Sequence, residues 1–289
     1  MPRYLGWGWL PLCATLAWSA TILTLLILWT ANGTPHYKQD DADIVYISDV
    51  GAKYKAFFIV GTATTAVFFI LTLITEYRLR RAERLVTFHH PRAKFDSILA
   101  LLFGAISGIA LTMLAVFDAN NHSTVHWILT LIFIFALGVS AAFTVGELKR
   151  LCRIANGGAN GAVGVEAGYG ASPSSTITPY NPHFAHQLRR SFIIKTVIVV
   201  LAFLGIIAMI VLMSVCRNNT TTGRPITAKC NTSHSAAAVV EWALAVLAAV
   251  YFATLVWDLR QAVLTSTKGV ARPGTQMGDQ RGSVATLQP

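Results

Sequence analysis

Asp40 to Lys55, DDADIVYISDVGAKYK, is a polar-to-mixed segment wedged between two long apolar runs, and it holds four of the chain's thirteen carboxylates. Ser48 and Asp49 offer side-chain acceptors for the free N–H groups of a helix predicted to start near Lys53, with Gly51 between them. The segment therefore reads as a cap over the second apolar run. Working outward, six stretches approach the roughly twenty apolar residues that a hydrocarbon core about 30 Å thick requires. They lie near Trp9–Thr30, Phe57–Thr75, Ser97–Phe117, Trp127–Gly146, Phe192–Val215 and Ala237–Trp257. A chain of 289 residues with 54% hydrophobic and 12% charged residues and a mean hydropathy of +0.55 is too apolar for a soluble domain. The predicted fold is all-α: a polytopic membrane bundle of six transmembrane helices within residues 1–260. A polar tail, 261–289, is expected to be disordered. The first run is longer than a signal-peptide core and no small-x-small site follows it, so it reads as an uncleaved anchor.

Lys and Arg positions orient the bundle. With both termini on one side, that side carries sixteen of the 23 basic residues and the other carries six, Lys195 lying within a span. The positive-inside rule places both termini in the cytosol. The net charge of +10 is accounted for by loops facing anionic lipid, which removes the need for a nucleic-acid partner. Five Asn-x-Ser/Thr sequons, at Asn32, Asn121, Asn218, Asn219 and Asn231, all fall on the opposite side and mark candidate glycosylation sites. Cys216 and Cys230 share a loop on that side, where an oxidising compartment permits a disulfide worth about 3 kcal/mol in the chain-entropy account.

The cytosolic segments differ in kind. Tyr77 to Lys94, YRLRRAERLVTFHHPRAK, carries Arg78, Arg80, Arg81, Arg84, Arg92 and Lys94 among apolar residues. It reads either as a short amphipathic helix lying on an anionic leaflet as far as Pro91, facing lipid or a partner, or as a solvated loop that merely sets topology. Residues 156–181 are rich in Gly, Ala and Ser and are expected to form a flexible tether. Within the spans, Ala100, Gly104, Gly108 and Thr112 form a row of small residues suited to close helix contact. Gly138, Ala142 and Gly146 form a second, and Ala245, Ala249 and Ala253 a third. The central thirds of the spans carry no ionisable side chain. Lys195 is expected to snorkel towards the cytosol, and Glu241 lies about one turn inside the opposite edge, too far away to pair with it.

Asp49, Asp118, His122, His126, His234 and Glu241 are the ionisable side chains from which an exterior site would be built. No GxSxG or HExxH motif and no His/Cys cluster at ligand spacing accompanies them. The sequence assigns no catalytic residue, no metal and no cofactor, and a capping role for these side chains is favoured over catalysis.

Tyr46-Ile47-Ser48-Asp49-Val50-Gly51-Ala52, set between the first two of six spans, resembles the ISD.G signature of the DRAM-type family. That family groups damage-regulated autophagy modulators, the FGF-receptor-activating protein and fungal "suppressor of four kinase" membrane proteins. The basic loop ending at His89-His90-Pro91, the Phe95-Asp96 pair and the Cys-bearing third exterior loop look most like the fungal branch, over about residues 5 to 260. Animal autophagy members often follow the signature with Pro-Pro-Glu; Lys53-Tyr54-Lys55 stands here instead.

The resemblance implies a plasma-membrane protein, and the absence of a recognisable catalytic motif favours a non-enzymatic one. It would support recruitment of a phosphatidylinositol 4-kinase complex and phospholipid organisation, with anionic phosphoinositides among its lipid partners. Three alternatives accompany it: a lipid-modifying enzyme or cofactor in GPI-anchor lipid remodelling with its chemistry at Asp49, His122 or His126, an endolysosomal autophagy role, and lipid translocation along Thr64, Thr65, Ser107, Thr112, Ser140 and Thr144. Peptide mapping of unreduced protein is expected to recover Cys216 joined to Cys230, and glycosidase-sensitive mass is expected on the sequon-bearing loops alone. Sugar on the 156–181 segment would reverse the topology.

Overall fold

The computed structural model describes residues 8–37, 42–81, 91–161, 182–215 and 227–268. These residues form seven helices: α1 (Trp9–Ala31), α2 (Ile47–Lys53), α3 (Lys55–Arg81), α4 (Pro91–Val116), α5 (Ser123–Gly161), α6 (Pro182–Ser214) and α7 (Ala228–Lys268). All but α2 are long and apolar enough to cross a membrane, giving the six spans the hydropathy predicts. An even number of crossings puts the start of α1 and the end of α7 at one end of the bundle. That end is called basic below, and the end carrying α2 is called the lid end.

Several boundaries differ from expectation because apolarity marks only the lipid-embedded part of a helix. α5 continues to Gly161, so residues 156–161 are helical and do not belong to a tether, while residues 162–181 lie outside the described ones. α7 runs from Ala228 to Lys268, which makes the first residues of the expected tail helical; 269–289 are not described. Of Tyr77–Lys94, the described residues belong to α3 and α4. α3 carries on through Arg81, and Pro91 opens α4 as its first residue, a position where its missing N–H is harmless. Residues 82–90, with Arg84, are not described.

The spans close into a ring in the order α1, α3, α4, α5, α6, α7 and back to α1. Small residues set how closely neighbours approach. A Cβ on Gly104 would collide with Leu73 of α3, and one on Gly61 with Thr21 of α1. On Gly138 it would come within 3.3 Å of Phe203 of α6. The small-residue row of α5 is only partly an interface, since a Cβ on Gly146 meets nothing within 4 Å. Gly61 belongs to no expected row, because its partner is a threonine back-bonded onto its own helix.

Most hydroxyls within the spans are satisfied locally, as a lipid environment demands, Ser107 Oγ being a buried exception. Thr62, Thr65, Thr112 and Thr144 donate to the carbonyls of Phe58, Gly61, Gly108 and Ser140 on their own helices. Ser140 donates to Ala100 O across the α4–α5 contact at 2.7 Å. Of the hydroxyls named for a polar path, Thr65, Thr112, Ser140 and Thr144 thus have their protons committed within the bundle, while Ser107 Oγ is buried without a partner among the described residues. Trp18 Nε1 donates to Ala245 O at 2.8 Å and closes the ring between α1 and α7.

Gly104→Ala is expected to destabilise the bundle by about 1–3 kcal/mol through overpacking. Gly146→Ala, with open space and better helix propensity, is expected to be neutral or slightly stabilising. Thermal unfolding in detergent measures both, and the opposite ranking would overturn this packing.

Candidate functional site

The signature segment becomes a lid strapped to α7. Asp43 N donates to Asn231 Oδ1 at 2.9 Å, and Asn231 Nδ2 returns a bond to Asp43 Oδ2 at 2.8 Å. Ile44 N reaches Ser235 Oγ, Tyr46 Oη and His234 Nδ1 share a hydrogen bond of 3.0 Å, and Trp242 Nε1 donates to Val45 O. The partners recur along α7 at helical spacing, so an extended segment of the lid lies along the first turns of that helix.

The capping scheme differs from the expected one. The helix in this segment begins at Ile47, so Ser48 and Asp49 fall in its first turn, and the side chain of Tyr46 at the N-cap makes no capping bond. The acceptor comes from another helix: Ile47 N donates to Glu241 Oε2 of α7 at 2.9 Å. A carboxylate at a helix N-terminus both satisfies an orphan N–H and complements the local dipole. Asp49 is buried in α2. Gly51 permits the lid to sit down, since a Cβ there would lie 2.6 Å from the ring of Phe58 on α3.

Below α2 lies a partly open cavity of about 110 Å³ lined mainly by apolar side chains of α1, α3, α4, α5, α6 and α7. Ser48, His126, Thr130 and Glu241 are the polar side chains at its lid end. Of the expected exterior set, the structure therefore brings His126 and Glu241 to one cavity, together with Ser48. Asp118 and His122 do different work in the α4–α5 turn. Asp118 Oδ2 accepts from Lys55 Nζ at 2.6 Å, and Asp118 Oδ1 accepts from the backbone N–H groups of Asn120 and Asn121. Burial raises its pKa, but Lys55 and Asn121 outweigh burial and hold the carboxyl well below the ordinary carboxylate range. His122 packs edge-on against Phe117.

The three described sequon asparagines all lie at the lid end, each with its amide in use. Asn32 donates to Leu28 O and Tyr54 Oη, Asn121 to Asp118, and Asn231 to Asp43. Asn231 sits in the first turn of α7 and not on a loop. Cys230 is buried beside it, while Cys216, Asn218 and Asn219 are outside the described residues.

The basic end holds what hydropathy does not reveal. Arg80 is buried and ion-paired both to Glu76 on its own helix and to Glu147 of α5, and Ser97 of α4 donates to Glu147 Oε2 at 3.0 Å. Arg80 is thus a structural staple joining α3, α4 and α5, not one of a lipid-facing set. Lys195 does not snorkel either: it is fully buried and paired to Asp258 of α7, whose Oδ1 accepts from Ser191 at 2.8 Å. Asp96 is buried as well. Among the described residues at this end, the acids Glu76, Asp96, Glu147 and Asp258 turn inward, while Arg78, Arg81, Lys94, Lys149, Arg189 and Arg190 are exposed. The side chain of Arg92 is not described. The only sequence signal for the inner pairs was Glu76 and Arg80 at i, i+4.

Residues 6–262 match the family model described as the Frag1/DRAM/Sfk1/Cwh43P N-terminal domain. Protein sfk1 of Schizosaccharomyces pombe is 34% identical over 151 residues, 50% of this chain and 45% of that protein. The aligned region therefore spans less than half of that relative's length. No solved structure matches.

Glu241→Ala leaves the Ile47 N–H without its acceptor and is expected to accelerate hydrogen exchange across residues 47–50 by about tenfold or more, as loss of about 1–2 kcal/mol of capping implies. Glu241→Gln, which keeps an acceptor oxygen, is expected to exchange close to the wild-type rate. Equal acceleration by both variants would mean that charge, not the hydrogen bond, seats the lid.

Proposed function

This chain belongs to the Frag1/DRAM/Sfk1/Cwh43P family, and from that premise we propose that it is a non-enzymatic regulator of the membrane in which it is embedded. In this reading its basic end faces the cytosol, gathers anionic phosphoinositides and supports recruitment of a phosphatidylinositol 4-kinase complex, with the plasma membrane as its site. What supports the reading is the partition of charge at the basic end. Acids inside the ring are occupied by Arg80 and Lys195, so the exposed Arg78, Arg81, Lys94, Lys149, Arg189 and Arg190 present a positive rim with little local neutralisation. Each such charge near an anionic leaflet is worth about 1 kcal/mol. The helix ends carrying them are held in place by the buried pairs behind them.

Arg78→Gln, Arg81→Gln and Lys94→Gln together are expected to weaken association with phosphoinositide headgroups by about 3 kcal/mol, roughly a hundredfold, at unchanged thermal stability. Enrichment of a fluorescent phosphatidylinositol 4-phosphate around the protein in nanodiscs reads the first quantity, and kinase binding to the same nanodiscs reads the consequence. Arg80→Gln is the contrasting variant. It strands Glu147 and is expected to lower stability by about 3–5 kcal/mol without a selective effect on lipid enrichment. If the triple variant still enriches the lipid, the rim is not the binding surface.

A further inference from the structure

We propose that the cavity beneath α2 holds one acyl chain of a membrane lipid drawn from the lid-side leaflet. The cavity is graded in polarity: Ser48, His126, Thr130 and Glu241 lie at its lid end, and below them the wall is built from residues such as Leu137, Ala141, Val199, Ala245 and Ala248. Tyr251 lies farthest along α7 and stands beside Thr144 and Lys195. From Glu241 to Tyr251 the helix rises about 15 Å, which is about half of a hydrocarbon core and so the depth of one leaflet. A volume of about 110 Å³ has room for a stretch of one chain. It suits a single extended chain better than a fused ring system or a pair of chains. An apolar site of this kind inside a hydrocarbon solvent gains little from hydrophobic transfer, so selectivity rests on fit and on the polar groups at the mouth.

Of those groups Ser48 is the one placed to donate to the ester region of a lipid, which has no donor of its own. His126 Nδ1 faces the carbonyl oxygens of Leu114 and Phe117 at 2.8 and 2.9 Å, so Nδ1 carries the proton and Nε2 is left as an acceptor. Ser48 Oγ makes no hydrogen bond to protein among the described residues, and its O–H is available to an ester carbonyl. Glu241 is committed to Ile47 N and holds the lid that bears Ser48. The inference concerns the lid end and does not rest on the reading of the basic end.

The test uses full-length protein in phosphatidylcholine nanodiscs doped with a phosphatidylcholine that carries a diazirine midway along one acyl chain. Irradiation and peptide mapping are expected to place cross-links on cavity residues of α5 and α7, among them Leu137, Ala141 and Ala245, besides lipid-facing residues such as the exposed Val246. Ala141→Phe, which fills the cavity, is expected to cut the inner cross-links at least tenfold while Val246 is labelled as before. Where Ala141→Phe does not fold, as judged by gel filtration and thermal unfolding, Ala248→Leu carries the same comparison. Cross-links confined to outward-facing residues in the unsubstituted protein, or inner labelling that survives the filling variant, would overturn the proposal. Labelling of the cavity by a diazirine sterol in place of the acyl probe would overturn the choice of ligand.

Discussion

Hydrocarbon offers no hydrogen-bond partner to an N–H, a C=O or a charge, and that constraint shapes most of the places where a polar group enters the bundle. Threonine hydroxyls return to carbonyls one turn back on their own helices. Trp18 spends its indole N–H on Ala245 O and so joins the first span to the last. Arg80 and Lys195 enter only with carboxylates already facing them. α2 is too short to sustain itself in isolation. It persists because Glu241 accepts from its first N–H and because α7 supplies donors and acceptors along the strap that precedes it.

The family signature acquires a physical meaning from this arrangement. Tyr46 reaches His234, Ile47 presents its N–H to Glu241, and Ser48 lines the cavity. Asp49 is buried, and Gly51 leaves room for Phe58. The motif thus looks less like a set of reactive groups than like the fastening of a plug whose counterpart lies nearly two hundred residues further along the chain. Two different ends result. One is closed by a small helix over an apolar cavity. The other is an inner layer of ion pairs surrounded by exposed bases.

Much of this architecture was legible from residue type alone. Hydropathy is a sum over neighbours in sequence, so the six spans, their all-helical character and the one-sidedness of the sequons among described residues could be read without knowing any contact. Helix ends were read short in α5, α6 and α7. The hydrophobic signal stops where lipid stops, whereas backbone hydrogen bonding continues into water. The candidate polar site was half legible. His126 and Glu241 do share a cavity, but Asp118 and His122 belong to the α4–α5 turn.

The class of fold, the number of crossings and the likeness to a family are properties of the linear pattern, carried by composition and by a seven-residue motif. Which charges face each other is a property of helix rotation and register. A turn of about 100° per residue decides whether Arg80 meets lipid or Glu147, and whether Lys195 snorkels or meets Asp258. No local window contains those partners. The inward acids, the capping of α2 by Glu241 and the cavity beneath it therefore came into being only when the ring closed.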